Sequence, residues 1–327
     1  MRAVVCSEYG PPEALGFVEV DDPVPGRGEV LVDIVFAAVN YPDVLIIDNK
    51  YQVSIPVPFV PGSEFSGVVA GLGEGVDGFA CGDRVFGSTF VGAYAERIAV
   101  PADALRPVPD GVPLDAVAGF WVAHATAYHS LRSVAEVRPG EVVLVLGAAG
   151  GVGLAAVELA VALGARVIAA ASTDDKLALC RERGAEHAVN YVEEDFRARL
   201  REVAPDGIDV VIDPVGGPFA EQALRALRWR GRFVTVGFAS GEIPRIPLNL
   251  VLLKGCVVLG FEFRSFLQHS PDLLERDDRE LLTLLASGRI APHVSAVYDL
   301  ADTAAALRHV AARRATGKVL LRARAAR

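Results

Sequence analysis

Residues 141–172 read EVVLVLGAAGGVGLAAVELAVALGARVIAAAS, and this stretch decides the fold. Val142 to Leu146 is a β-branched apolar run that reads as a strand, and a glycine-rich turn, Gly147 to Gly153, follows it. The small residues from Leu154 to Leu163 read as a helix, and Arg166 to Ala171 as a second strand. Strand, glycine turn, helix and strand within ~30 residues form a βαβ unit, the context that gives a glycine motif its meaning. The register that fits is Ala148-x-Gly150-x-x-Gly153, with alanine at the first position of the usual fingerprint. Ala148, Gly150, Gly151, Val152 and Gly153 are therefore candidate nucleotide-binding residues. Gly150 lets the backbone approach a pyrophosphate, and Gly153 lets helix and strand pack closely. The helix N-terminus offers N–H groups and a positive dipole end to the phosphates. The competing reading is an ordinary strand–helix turn; the strand before and the helix after favour a nucleotide.

With 327 residues the chain has length for two domains, each with its own core. Apolar residues make up 52% and charged ones 22%, the balance of a soluble globular protein. A net charge of −9 argues against a nucleic-acid surface while leaving room for a small basic pocket. The basic ending RARAAR (322–327) reads as a solvated tail. The opening MRAVVCSEYG lacks the apolar core of a signal peptide. The uncharged run Val142 to Val157 is glycine-rich and shorter than the ~20 residues of a membrane helix. Cys6, Cys81, Cys180 and Cys256 are scattered with no C-x-x-C pair, which suits free thiols in a reducing cytoplasm.

Before about residue 120 the pattern is β-rich. Short apolar runs (Met1 to Cys6, Phe17 to Val20, Glu29 to Val39, Val68 to Ala70, Arg84 to Gly87, Tyr94 to Val100) are separated by glycine and proline turns. A partly closed β-barrel accommodates them. Asp43 to Ile47 reads as the start of a short helix, with Pro42 near its N-terminus. After Leu114 the period changes, and from the opening strand onward strands alternate with helices, as in a parallel, doubly wound sheet. The strands expected there are His187–Asn190, Asp209–Asp213, Gly231–Gly237 and Val257–Phe261. Helices are expected over 271–287 and 301–313, and a closing strand over 317–322, packing back on the first half.

A dinucleotide site that prefers NAD wants an acid at the tip of the second strand. Here the tip is Ala169-Ala-Ala-Ser-Thr173, and Lys176, one of four lysines in the chain, lies just beyond. Ser172 and Lys176 suit a 2′-phosphate, Tyr191 ends the next strand on the adenine side, and NADPH is the expected cofactor. Asp174-Asp175 reads as helix N-cap and first-turn acid. Lys176 on a solvated helix face is the competing reading. His124 and His129 are five apart, off the i,i+4 face of a zinc pair, and no cysteine cluster suits structural zinc. No nucleophile elbow or P-loop appears, so the chemistry is expected to come largely from the cofactor.

Several stretches resemble the medium-chain dehydrogenase/reductases, in particular the zinc-free quinone oxidoreductase (zeta-crystallin-like) branch. They are AVNYPD (38–43), FVPGSEFSG (59–67), GDRV (82–85), AYAE (93–96), TAYHSL (126–131), AAGGVG (148–153), GFASG (237–241) and GKVL (317–320). The resemblance implies an α/β architecture: a Rossmann doubly wound parallel sheet over 123–265, plus a GroES-like, partly closed β-barrel catalytic domain over 1–122 and 266–327. Asn40 and Ser63 stand where zinc-dependent cousins carry cysteine and histidine, so both metal sites are expected to be empty. The family's nicotinamide environment maps onto Asn40, Thr126 and Phe238, its closing-strand contact onto Lys318, and its 2′-phosphate set onto Ser172, Lys176 and Tyr191. Each has a plainer alternative: Asn40 as a turn residue, Thr126 as a helix back-bonder, Phe238 as core. The same resemblance puts Asp43 and Tyr51 near the cleft, with Tyr51 as the candidate proton donor and a packing residue on the barrel surface as its plainer alternative.

The resemblance implies an NADPH-dependent reductase of quinones or other enones. An enoyl-thioester reductase is the second reading, for which Arg245, Arg264 and Arg289 would supply a basic rim. A non-catalytic NADPH-binding protein is the third. The apolar strand Val257 to Phe261 is an edge that needs cover, and a homodimer paired through it is expected.

Overall fold

The structure is a computed structural model that describes residues 1–323; residues 324–327 of the basic tail lie outside the described residues. The chain forms two units, Met1–Val122 with Pro292–Arg327, and Ala123–Ala291.

The Rossmann unit carries a six-stranded sheet, all of it parallel. In chain order its strands are Val142–Leu146, Arg166–Ala171, His187–Asn190, Ile208–Asp213, Leu227–Thr235 and Val257–Gly260. Their spatial order is third, second, first, fourth, fifth, sixth, the doubly wound arrangement with its switch point beside the first strand. Ile208–Asp213 is buried along its whole length, as a strand covered on both faces must be. Its apolar residues join Leu144, Leu146, Ile168, Val189 and Phe233 in one core.

The helix Pro271–Ala286 belongs to this unit, whereas the sequence pattern had grouped it with the barrel. Polar clamps explain the difference. Asp277 Oδ2 lies 2.9 Å from Nδ1 of the fully buried His129, and Glu280 accepts from Tyr128 Oη at 2.7 Å and from Arg132 Nε at 2.9 Å. The His129 ring is packed by Phe261, Phe263 and Phe266, the last with ring centroids 4.7 Å apart. Amphipathicity tells that a helix has a buried face; it does not tell which core receives it.

In the other unit, seven strands bend around one apolar cluster. Glu29–Val39 is the axis, with Val30, Val32 and Ile34 buried at alternate positions. One edge pairs with Glu64–Leu72; the other is divided between Arg97–Pro101 and Lys318–Arg322. Register shifts at Leu31/Val32 and Ile34/Phe36 mark bulges, which bend a strand and let it serve two partners on one edge. Phe65, Val69, Val85, Ile98, Val100, Val319 and Leu321 meet these residues in one cluster, so the sheet has a single inner face and forms a partly closed barrel. Lys318–Arg322 also pairs parallel with Val294–Asp299, a strand the sequence pattern did not predict. Cys6, Cys180 and Cys256 are buried free thiols and Cys81 an exposed one. No helix among the described residues is long and apolar enough to cross a membrane.

Candidate functional site

In the Rossmann unit the first strand stops at Leu146 and a helix starts at Gly151, with Gly150 as its N-cap. The first-turn N–H groups of Gly151, Val152 and Gly153 have no intrahelical acceptor and face the end of the turn. A Cβ at residue 153 would lie 2.1 Å from Gly147 O, so Gly153 is demanded by the packing of helix on turn. Residue 150 differs: a Cβ there meets only Gly147 O, at 3.4 Å. No protein neighbour forces glycine at 150, and the space kept clear is what a backbone-bound phosphate requires. Ala148 is buried, and its N–H donates to Ala170 O at the tip of the second strand.

The tip of that second strand carries no acid. Thr173, not Asp174, is the N-cap of the helix Asp174–Glu182: its side chain accepts from Lys176 N–H, which leaves Asp174 and Asp175 in the first turn. Asp174 Oδ1 accepts from Asn190 Nδ2 at 3.1 Å, so this first-turn carboxylate already has a protein donor. Lys176 Nζ donates to Ser172 Oγ at 3.2 Å, and burial pulls the Lys176 ammonium below its ordinary range. An ammonium drawn down by lost hydration gains from an anionic partner, so the pair suits a 2′-phosphate. Tyr191 lies beside them, its N–H on Ala171 O and its ring 4.4 Å from that of Phe219. Thr126 is buried on the helix Trp121–His129, and its carbonyl accepts from Ser130 Oγ at 2.7 Å.

Phe238, 38% exposed, follows the fifth strand. Its setting depends on Asp213, which the sequence reading had not singled out. One Asp213 oxygen accepts from Val215 N–H at 2.9 Å and Gly216 N–H at 2.8 Å, and the turn so formed brings Gly216 against the Phe238 ring. Burial raises the Asp213 carboxyl above the usual range.

A second constellation lies within the barrel unit. Asn40 caps the helix Tyr41–Ile47, with Pro42 in the first turn. Asp43, three residues into the helix, accepts Asn40 N–H at 2.8 Å and Tyr94 Oη at 2.7 Å, both on Oδ2. Its Oδ1 accepts from Ser63 Oγ at 3.3 Å. Glu64, at the start of its strand, is fully buried; Oε1 accepts Val122 N–H at 2.8 Å, and Oε2 accepts Asn40 Nδ2 at 3.3 Å and Lys318 Nζ at 3.2 Å. Lys318 Nζ also donates to Asn40 Oδ1 at 2.5 Å. Gly119 leaves the space for this lysine, since a Cβ there would lie 2.7 Å from Lys318 Cε.

Lys318, the expected closing-strand contact of the cofactor, is buried with its ammonium on Glu64, where a buried carboxylate gains from a cation. Asn40 is engaged on all sides: Oδ1 by Lys318, Nδ2 by Ser63 at 3.4 Å and by Glu64. Burial lifts the Asp43 carboxyl to about 6, against the pull of Tyr94, Asn40 N–H, Lys318 and Ser63. The same burial, with Asp43 and Glu64 alongside, drives the Tyr94 phenol well above its ordinary range. Tyr51 is half-buried against Phe90, with Gln52 Nε2 3.5 Å from its hydroxyl. Glu64 and Tyr94 were missed by the sequence reading, although both stand in the quoted motifs. A carboxylate opening the apolar run Phe65-Ser-Gly-Val-Val69 and a lysine opening Val319-Leu-Leu321 are the signal that could have paired them.

Comparison with known proteins fits this geometry. Residues 26–110 match the alcohol dehydrogenase GroES-like domain, and residues 151–277 the family described as zinc-binding dehydrogenase. Quinone oxidoreductase-like protein 2 of Rattus norvegicus is 38% identical over 98% of this chain and 91% of its own length. The structure of Escherichia coli quinone oxidoreductase complexed with NADPH superposes with a TM-score of 0.91 at 30% identity, covering 98% of this chain and 100% of that one. The quinone oxidoreductase of Thermus thermophilus, solved also in its complex with NADPH, gives 0.87 at 36% identity over 98% and 100%. The residues present do not suit the zinc of the second family's description. Asn40 and Ser63 offer an amide and a hydroxyl, the Lys318 ammonium already lies on Asn40 and Glu64, and no group of three or more His, Cys, Asp or Glu among the described residues could hold a metal. Fold, glycine turn, acid-free strand tip and these relatives together place the chain in the medium-chain dehydrogenase/reductase superfamily, in its zinc-free quinone oxidoreductase family.

Proposed function

We propose that the protein is an NADPH-dependent, zinc-independent reductase of quinones and related conjugated carbonyls, acting as a cytoplasmic homodimer. The observation that carries the cofactor choice is the Lys176 Nζ–Ser172 Oγ pair, at the end of a strand whose tip carries no acid. Relatives named quinone oxidoreductase, two of them solved with NADPH, support the acceptor class. Bound NADPH supplies a hydride. Ala148, Gly150, Gly151, Val152 and Gly153 cradle its phosphates; Ser172, Lys176 and Tyr191 hold its adenosine end. On the family's pattern Thr126 and Phe238 are the Rossmann unit's residues for the nicotinamide, and Asn40 and Lys318 those of the barrel unit, where Lys318 Nζ donates to Asn40 Oδ1. Oxidation of NADPH by a panel of naphthoquinones, phenanthrenequinone and simple enones tests the reading. Turnover confined to crotonyl-CoA or acryloyl-CoA would replace it by the thioester reading. Against that alternative, Arg289 is bound to Ala162 O, at the far end of the helix that opens at Gly151, ~17 Å from the glycine turn.

An unpartnered edge supports the dimer. Val257 and Val258 are nearly half exposed, and Trp229, Leu248, Leu252 and Leu253 are exposed in the same unit. An apolar sheet edge of this kind invites pairing with a second copy. Replacing Val258 with lysine should give a monomer in analytical ultracentrifugation; an unchanged mass would remove the strand from the interface.

A further inference from the structure

We propose that Asp43 and Ser63 form the proton-delivery route of the reductase, Asp43 as the internal store and Ser63 as the group that hands the proton to the acceptor. The proposal rests on the reductase reading above. Reduction by a hydride leaves an oxyanion on the acceptor, and something must protonate it.

The hydrogen bonds around Asp43 determine where a proton can reside. Oδ2 already receives Asn40 N–H and Tyr94 Oη–H, so a proton on this carboxyl belongs on Oδ1. Oδ1 faces Ser63 Oγ at 3.3 Å. When Asp43 is ionised, Ser63 donates to it. When Asp43 is protonated, the bond reverses: Oδ1–H donates to Ser63 Oγ, and the serine hydrogen turns away from Asp43. Ser63 is the member able to pass it on. Asn40, Asp43, Glu64, Tyr94 and Lys318 are all buried, and Ser63 is half-exposed. The charged and titratable groups facing Asp43 are Tyr94, from the loop before Arg97–Pro101, Lys318 from the closing strand, and Glu64 beyond Asn40. Burial raises the carboxyl to about 6, which leaves roughly a tenth of it protonated at neutral pH and allows recharging between turnovers.

The hydride that bound NADPH would supply carries the two electrons that reduce the quinone, and the negative charge it brings comes to rest on a quinone oxygen. The Ser63 O–H bond breaks as that oxygen takes the hydrogen. The Asp43 Oδ1–H bond breaks as Ser63 Oγ recovers one. Asp43 remains as a carboxylate held by Tyr94, Asn40 N–H and Ser63, and water restores its proton through Ser63.

Ser63→Ala, Ser63→Thr, Asp43→Asn and Tyr51→Phe test the route. In wild type, kcat should fall as pH rises through about 6, where the store empties. Ser63→Ala should lower kcat about 100-fold, remove that limb and leave NADPH affinity unchanged; Ser63→Thr should restore both. Tyr51→Phe should keep the limb. Independently of activity, the infrared band of a protonated carboxyl should titrate near pH 6 in the cofactor-free protein, and Asp43→Asn should abolish it. A Ser63→Ala enzyme with wild-type kcat and limb overturns the route, as does a band titrating near pH 6 that keeps its full amplitude in Asp43→Asn, Asp213→Asn serving to identify the band of the other raised carboxyl. A wild type that reduces no acceptor in the panel overturns the reductase reading itself, so the two failures are told apart.

Discussion

Removing the Lys318 ammonium tests how the barrel unit tolerates its buried charges. In Lys318→Met the stem still fills the space left by Gly119, but Glu64 keeps its charge with no cation beside it. Breaking a buried pair from one side costs about 3–5 kcal/mol. Glu64 retains the Val122 and Asn40 donors, at 2.8 and 3.3 Å, so the lower end applies, about 3 kcal/mol. With a slope near 2 kcal/mol per molar urea, that lowers the unfolding midpoint by about 1.5 M. Trp121 reports the event: it is 2% exposed in this unit, whereas Trp229, in the other, is already exposed. The double variant Lys318→Met, Glu64→Gln removes the uncompensated charge and should recover most of the loss, giving a coupling of about 2 kcal/mol or more, on the order expected for residues in one network. A midpoint lowered by less than about 0.3 M in the single variant, or a double variant whose loss equals the sum of the singles, would refute the pairing argument.

Lys176→Ala should weaken NADPH by about tenfold or more while leaving NADH nearly unchanged, measured by fluorescence titration; equal losses would sink the 2′-phosphate assignment. Gly62→Ala meets two obstacles at once, a φ of +93° and a Cβ 2.2 Å from the Tyr94 ring. It should cost about 3 kcal/mol and displace Tyr94 from Asp43, visible as an altered tyrosine environment in near-ultraviolet dichroism. His129 is opposed by burial but raised above its ordinary range by Asp277 and Asp278, so its folded value exceeds the unfolded one, about 6.5. The clamp therefore contributes fully below about pH 6.5 and fades as pH rises through the folded value. Amide exchange in Pro271–Ala286 should accelerate on that rise, and His129→Gln should flatten the dependence; equal pH dependence in both would discard the clamp.

Local signals carried much of this architecture. The alternation from Val142 onward is a repeated local event, strand then helix, and right-handed crossovers leave few ways to arrange it; the observed strand order follows. Val294–Asp299 stayed hidden because Val297, on its outer face, is apolar and 41% exposed, which blurs the alternation. Thr173 and Asp174 are both good caps, and only the observed backbone distinguishes them. The Asn40 network is the hardest case. Its members come from positions 40, 43, 63, 64, 94 and 318, and no periodicity links them. Their family motifs marked Asn40 and Lys318, but nothing local announces that Lys318 is also the counter-ion of Glu64.

The pairing of Lys318–Arg322 with Glu29–Val39 bears on how the chain is made. Lys318 follows Asn40 by 278 residues, on the order of tens of seconds at ribosomal rates. During that interval the axial strand has emerged with part of one edge unpaired, and Glu64 lacks its cation. The Rossmann unit, drawn from the continuous segment Ala123–Ala291, is complete before Lys318 is added. A nascent chain thus carries most of its nucleotide-binding unit while the barrel still lacks its closing strand, and in that interval the unpaired strand edge is open to chaperones and to aggregation.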